Sequence, residues 1–199
     1  EDFSYQEVCA KKNGVEEKLW IEKSLVDEVM RKGKYDEYKK GKELKGKEML
    51  GWKYKHPLHN EVPECPKDSK SLQIYSANFV NKDRTGMVHS APGHGEDDFR
   101  LGKELGLEIF CPVGSDGIYT KDAGKYEGKF VKETNEEIIS DLKNRGLLLA
   151  VEKYTHDYGK CWRCNTNIIQ IVTDQWFIKI TEIKDELLQN ISMSEWYPE

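Results

Sequence analysis

Residues 86–99 read Gly86-Met87-Val88-His89-Ser90-Ala91-Pro92-Gly93-His94-Gly95-Glu96-Asp97-Asp98-Phe99. Three signals follow one another in this run. Gly86 to Ala91 has the mixture of a short strand, and Pro92-Gly93 breaks it with a turn. Glu96, Asp97 and Asp98 then sit in the first turn of a predicted helix that runs to Leu105, where the helix dipole favours acids, and Gly106 is placed to stop it. A strand-turn-helix gathers side chains from both elements around one cavity, and its glycines let a ligand approach the backbone. Asp98 is placed to receive an ammonium group, and His89 to point into the same cavity. Each has a plainer alternative: a satisfied, partly buried histidine, and acids that only complement a helix dipole. His89 and His94 do not make a metal pair, because that spacing brings ligands together only on a helix and Pro92-Gly93 lies between them.

Working outward, Ser24 to Gly33 reads as a helix with Ser24 as cap, Leu25, Val26, Val29 and Met30 on one face and Gly33 as its end. The lysine-rich stretch after it, with Gly41, Gly46 and Gly51, reads as a surface excursion, and residues 56–66 as proline-punctuated loop. Leu72 to Val80 reads as a strand that pairs with 86–91 through a turn at 81–84. Glu108 to Val113 reads as another strand. Thr134 to Gly146 is the best helix, with a Thr134–Glu137 capping box and Ile138, Ile139 and Leu142 buried. Residues 147–154 and 167–180 read as strands, 181–189 as a short last helix and 196–199 as an extended exit. The interleaving predicts an α+β fold, a barrel-like β domain decorated with helices.

Composition excludes several classes. The chain has 199 residues, 37% hydrophobic and 34% charged, and its 10 Tyr, 6 Phe and 5 Trp supply bulk for a core that a disordered chain lacks. No run of about 18 apolar residues is present to span a membrane, and the first residues carry no secretory pattern. The net charge is −5, but residues 31–55 hold ten basic and four acidic side chains, so that segment is +6 and the rest −11. Such a stripe is either a solvated surface or a phosphate-binding one. Five cysteines (Cys9, Cys65, Cys111, Cys161, Cys164) form no disulfide framework, and a reduced, cytoplasmic setting is expected. Cys161 and Cys164 make one CxxC, half of a four-cysteine zinc site; His156, with Cys111 or His59, is the available completion, and reduced thiols flanking a packed Trp162 are the simpler reading.

The 86–99 run resembles the signature of the editing domain of isoleucyl-tRNA synthetase, an insertion in that class I enzyme's nucleotide-binding fold. Other stretches agree: Gly51-Trp52-Lys53-Tyr54-Lys55-His56-Pro57-Leu58, Pro112-Val113-Gly114-Ser115-Asp116-Gly117, His156-Asp157-Tyr158 with Cys161-Trp162-Arg163-Cys164, and Thr173-Asp174-Gln175-Trp176-Phe177. The resemblance covers nearly the whole chain. It implies an editing domain over residues 1–180, with 181–199 as a helix and exit toward a catalytic domain. The valyl and leucyl enzymes share the fold but match this run only in outline. The family's His-Ile-Gly-His and Lys-Met-Ser-Lys-Ser motifs are absent, as is its threonine-rich loop, expected just before residue 1. The chain is therefore expected to be a piece of a longer synthetase, unable to activate an amino acid with ATP and weak or inactive as a hydrolase by itself.

The resemblance implies that the site hydrolyses valyl-tRNA(Ile), with valyl-adenylate as a second substrate. It makes Asp98 the holder of the α-ammonium and gives His89 a place in the side-chain pocket; these two are the catalytic candidates. Gly86, Met87, Val88, Ser90, Ala91, Pro92, His94 and Tyr158 are the substrate-binding candidates, with His156 at the border. No cofactor is expected for editing and no zinc. The implied partners are the tRNA 3′ end carrying valine and the remainder of the synthetase, and no membrane. The alternatives are a non-catalytic tRNA-binding or structural segment, and an editing domain of a valyl or leucyl enzyme.

Overall fold

The computed structural model describes residues 2–82, 85–195 and 197. Of the expected features, the turn at 81–84 lies partly outside the described residues (Asp83 and Arg84), as does the exit at 196–199 (Trp196, Pro198 and Glu199).

The regular β structure lies at the start of the chain. Strand β1 (Ser4–Lys12) runs antiparallel to β2 (Val15–Glu22) and to β3 (Glu37–Lys45), in the order β2-β1-β3. Asn13 and Gly14 join the first two strands with φ of 51° and 80°. Two successive left-handed residues give the tight turn whose twist matches that of a hairpin. β1 is the central strand because it alone carries a buried alternation, Val8 and Ala10 facing inward. β3 is an edge strand. Its lysines are compatible with that place, since an edge strand needs no second buried face and charge guards it against further pairing. A bulge lies between Gln6 and Val8, and the Gln6 side-chain amide donates to the carbonyls of Gly41 and Lys42 at 2.9 and 3.1 Å.

Helix α1 (Val26–Gly33) closes one face of this sheet. Val8, Ala10 and Ile21 from the strands meet Val26, Val29 and Met30, with Leu149 packed alongside. The α+β class stands, but the β part is an open three-stranded sheet and not a closed barrel among the described residues. A short α2 (Gly46–Met49) follows β3. Helices α3 (Glu96–Leu105), α4 (Asn135–Asn144) and α5 (Lys184–Ser192) come later, the last after a 3-10 turn at Ile180–Glu182. A second small core gathers Val62, Cys65, Ala123 and Tyr126, with Phe110 and Ile138 against it.

The helices fall near where the sequence placed them, and Gly106 ends α3 in a left-handed turn as expected, but the caps of α1 and α4 differ. The Ser24 amide and hydroxyl both donate to the Glu22 carboxylate, so Ser24 does not cap α1, and the left-handed residue that ends α1 is Lys34 and not Gly33. The Thr134 hydroxyl donates back to Phe130 and Glu137 is drawn to Lys129 at 2.5 Å, so the capping box does not form. Ile138, Ile139 and Leu142 are only half-buried.

The later strands do not form. Leu72 and Ile74 pair with Tyr54, Gly51 and Trp52 instead of with 86–91, which removes the expected hairpin. Among the described residues 108–113, 147–154 and 167–180 join no ladder, although Asn167 makes one bridge to Lys160. Leu149 is committed to the first core, Val113 has one bridge to Tyr119, and the Val172 amide donates to Gly93. The lysine-rich stretch, expected as an excursion, is β3 and α2.

Met30 is 2% exposed at the centre of the first core. Met30→Ala is expected to destabilise the chain by about 2–5 kcal/mol in urea unfolding, the range for deleting a buried side chain of this size.

Candidate functional site

The wall of the site is the 86–94 run, and both its ends are clamped. At the start, Tyr5 donates its hydroxyl to the Gly86 carbonyl at 2.6 Å, and the Glu22 amide donates to the Thr85 carbonyl at 3.1 Å. Gly86 has φ of 74°, and a Cβ there would lie 2.5 Å from the Glu22 side chain. Glu22 is 2% exposed. Burial opposes its charge, but hydrogen bonds from Ser24 and the nearby Lys82 ammonium prevail and hold its carboxyl below the ordinary value. At the other end the His94 amide closes a turn onto Ala91 at 2.8 Å, and His94 Nδ1 lies 3.1 Å from the Gln170 carbonyl. Pro92 packs on α3 at Gly102, where a Cβ would come within 2.8 Å of the proline ring.

Gly86, Met87, Val88, His89, Ser90, Ala91, Pro92, His94 and Tyr158 all line one cavity of 1840 Å³. Met87, Val88 and His89 are exposed, while Ser90, Ala91, Pro92 and His94 are half-buried. Asp98, in the first turn of α3, is not part of that lining. It stands behind Ser90, whose hydroxyl donates to Asp98 Oδ1 at 3.1 Å. The Tyr158 hydroxyl donates to the Ile168 carbonyl at 3.1 Å, and the Lys132 ammonium sits 4.0 Å from the centre of its ring. His156 also lines the cavity, stacked on Tyr154 and tilted by 60° to the Tyr158 ring.

The sequence reading missed His56. Its ring packs edge-on against that of His89, with centroids 6.4 Å apart. Burial first, and then the charges of His89 and His59, hold the His56 pKa below its ordinary value. No local pattern signals a pairing of residues so far apart in the chain. Trp20, which lines the same cavity from the end of β2, was also missed, although the Asn13-Gly14 turn marks the hairpin that delivers it.

Cys161 and Cys164 come together in a small loop. The Cys161 amide donates to the Thr166 carbonyl at 2.8 Å, and Asn165 takes a left-handed φ of 56°. Hydrogen bonds from the Thr166 hydroxyl and amide, and then from Cys161, lower the Cys164 thiol to about 7. Among the described residues no three His, Cys, Asp or Glu side chains are placed to hold a metal ion, so His156, Cys111 and His59 do not complete the pair. Trp162, expected to be packed between the thiols, is 85% exposed. Among the described residues no helix is long and apolar enough to cross a membrane.

No family model matches the chain. Comparison with curated proteins defines a class all the same: the chain is related to the aminoacyl-tRNA ligases. It is 56% identical over 199 residues, its whole length, to a protein of Haloarcula marismortui, 50% over 199 residues to one of Natronomonas pharaonis, and 49% over 197 residues to one of Archaeoglobus fulgidus. All three are isoleucine-tRNA ligases, and the chain's similarity to them holds over the segment it matches. It spans 18% of the length of the first relative and 19% of the other two.

A histidine held neutral by folding contributes stability above its ordinary pKa of about 6.5, and that contribution is lost as pH falls below it toward the depressed value. NMR titration of the imidazole signals is therefore expected to show His56 titrating below about 6.5. His56→Gln should remove that part of the acid-side loss of stability, read by urea unfolding across the same pH range.

Proposed function

We propose that this chain is the editing segment of an isoleucine-tRNA ligase and hydrolyses the ester of valine mis-attached to tRNA(Ile). The observation that carries the reading is the placement of the 86–92 wall, His94 and Tyr158 around one cavity, with Asp98 tied to that wall through Ser90. The need for such a site follows from pocket energetics. A missing methylene is worth only about 1–3 kcal/mol in a hydrophobic pocket, a figure for which the isoleucyl enzyme is itself the standard example and which is not obtained from this chain. A second site that admits valine and excludes isoleucine supplies the remaining discrimination.

Each group has a role in this reading. Asp98 supplies negative charge behind the Ser90 edge of the cavity and acts on the α-ammonium through Ser90, whose hydroxyl it orients. His89, backed by His56, borders the side-chain pocket and limits its size. The bends at Gly86 and Pro92-Gly93 present backbone groups to the ester. Hydrolysis then requires a placed water, donors for the developing oxyanion and the neighbouring ribose hydroxyl. No protein nucleophile is assigned, because Ser90 gives its proton to Asp98 and not to a histidine.

In the same reading, residues 1–180 form the editing unit, and α5 with the residues after it leads back to the rest of the ligase. Trp176, Phe177 and Ile178 are 102%, 86% and 78% exposed, which suits contact with that remainder. Editing uses no cofactor here; ATP serves the parent's ligation step, in the cytoplasm. A non-catalytic tRNA-binding segment is the second reading, favoured by the basic β3, and it predicts RNA affinity without ester cleavage.

The test is made in the parent ligase. Asp98→Ala is expected to slow deacylation of valyl-tRNA(Ile) by about 10²-fold, the scale of lost substrate orientation, while isoleucylation continues. Deacylation within about twofold of the unaltered ligase would remove Asp98 from the mechanism.

A further inference from the structure

We propose that His56 is the hydrogen-bond donor for the oxyanion that forms when the ester is hydrolysed, acting as a neutral imidazole with its proton on Nε2. The inference rests on the reading above, since it supplies that site with a donor its chemistry requires.

The place of the proton follows from what each partner can do. The Leu58 amide donates to His56 Nδ1 at 3.2 Å. An amide N–H only donates, so Nδ1 offers its lone pair and the proton of the neutral ring sits on Nε2. Protonating Nδ1 would break this bond. The bond therefore favours the neutral ring, in the same direction as the burial and the neighbouring His89 and His59. A neutral imidazole polarises a carbonyl as an electrophile without giving up its proton. The loop that carries the ring is also tied down. The His56 carbonyl accepts from the His59 amide at 3.2 Å and from His59 Nδ1 at 2.9 Å. Arg145, at the end of α4, donates to the Pro57 carbonyl and to Glu61 Oε2 at 2.7 Å. A donor fixed in this way needs no reorganisation as charge develops.

Four other polar groups around the cavity are committed to protein partners. Tyr5 gives its hydroxyl proton to the Gly86 carbonyl, Tyr158 to that of Ile168 and Ser90 to Asp98, while His94 Nδ1 lies against the Gln170 carbonyl. The half-buried His56 ring lines the same cavity, and its Nε2–H has no acceptor among the described residues. The ring packs edge-on against His89, the neighbour of Ser90 in the chain. In an aminoacyl ester the ammonium nitrogen and the carbonyl carbon are bonded to the same α-carbon. A site that takes the ammonium at Ser90 therefore brings the carbonyl close to the His89–His56 pair.

In the step, a water oxygen bonds to the carbonyl carbon, and the π pair of the C=O bond moves onto its oxygen, where the Nε2–H bond meets it. On collapse that pair reforms the carbonyl and the bond to the ribose oxygen breaks. The ribose oxygen takes one proton of the water, the other passes to solvent, and valine leaves as its carboxylate. His56 keeps its proton throughout.

The test follows deacylation of valyl-tRNA(Ile) by the parent ligase near neutral pH. His56→Ala is expected to lower kcat by about 10²-fold, the scale of one lost oxyanion donor, with KM within about twofold. His56→Gln keeps a neutral N–H donor but cannot act as a base, and it is expected to recover about tenfold of that loss. The 15N spectrum of the histidine-labelled 199-residue chain should show the proton of His56 on Nε2. Equal losses in the two variants overturn the neutral donor, and so does a proton on Nδ1. A kcat within about twofold in His56→Ala removes His56 from the step, and a rise in KM alone makes it a binding group instead. Failure of the unaltered ligase to hydrolyse the valyl ester overturns the editing reading and the donor with it. Hydrolysis that needs Asp98 but not His56 overturns the donor alone.

Discussion

A Cβ on Gly93 would lie 2.2 Å from the carbonyl oxygen of Phe110, so the turn after His89 passes through a space that only glycine fits. This close approach fixes where the 86–94 wall runs. It sets Gly93 against the 108–113 segment, whose Phe110 packs on the second core, and it leaves the Gly93 carbonyl free to accept from Val172 at 3.1 Å. Pro92 is then pressed onto Gly102 of α3, and Asp98 on the first turn of that helix reaches Ser90. A larger residue at 93 would have to displace backbone, and a backbone contact has no rotamer to relieve it.

The other end of the wall is fixed from the sheet. Tyr5 belongs to β1 and Glu22 to the end of β2, and both bind the backbone at 85–86. The site is therefore tied to the sheet, although the two are far apart in sequence. Both cores are small, and much apolar surface between Trp176 and Met193 is exposed. Stability in such a chain depends on a few fully buried side chains, because a small core covers a small fraction of the surface it must protect.

What the sequence disclosed follows from how local each signal is. Helices α1, α3 and α4 were legible because their apolar spacing and terminal glycines lie within a dozen residues, and α5 by its apolar spacing alone. The N-terminal caps of α1 and α4 were not, because Ser24 and Glu137 were claimed by Glu22 and Lys129, which spacing rules do not weigh. The strands failed in both directions. Apolar runs at 72–80 and 167–180 looked like strands but form only isolated bridges, Gln73 to Lys53 and Asn167 to Lys160, among the described residues, whereas lysine-rich 37–45 became one because an edge needs no buried face. The wall from Gly86 to Pro92 was readable as a unit. Its meeting with His56, and the position of Asp98 behind Ser90, depend on pairings set only by the whole fold.

The central claim is that the cavity at His89 sorts amino-acid esters by size. The direct measurement is an NMR titration of the 199-residue chain with hydrolysis-resistant valyl-adenosine and isoleucyl-adenosine analogues. The account predicts that the valyl compound shifts the amides of His89, Ser90 and Asp98 and that the isoleucyl compound does not. Equal shifts from both compounds, or a response confined to residues away from 86–98, would contradict it.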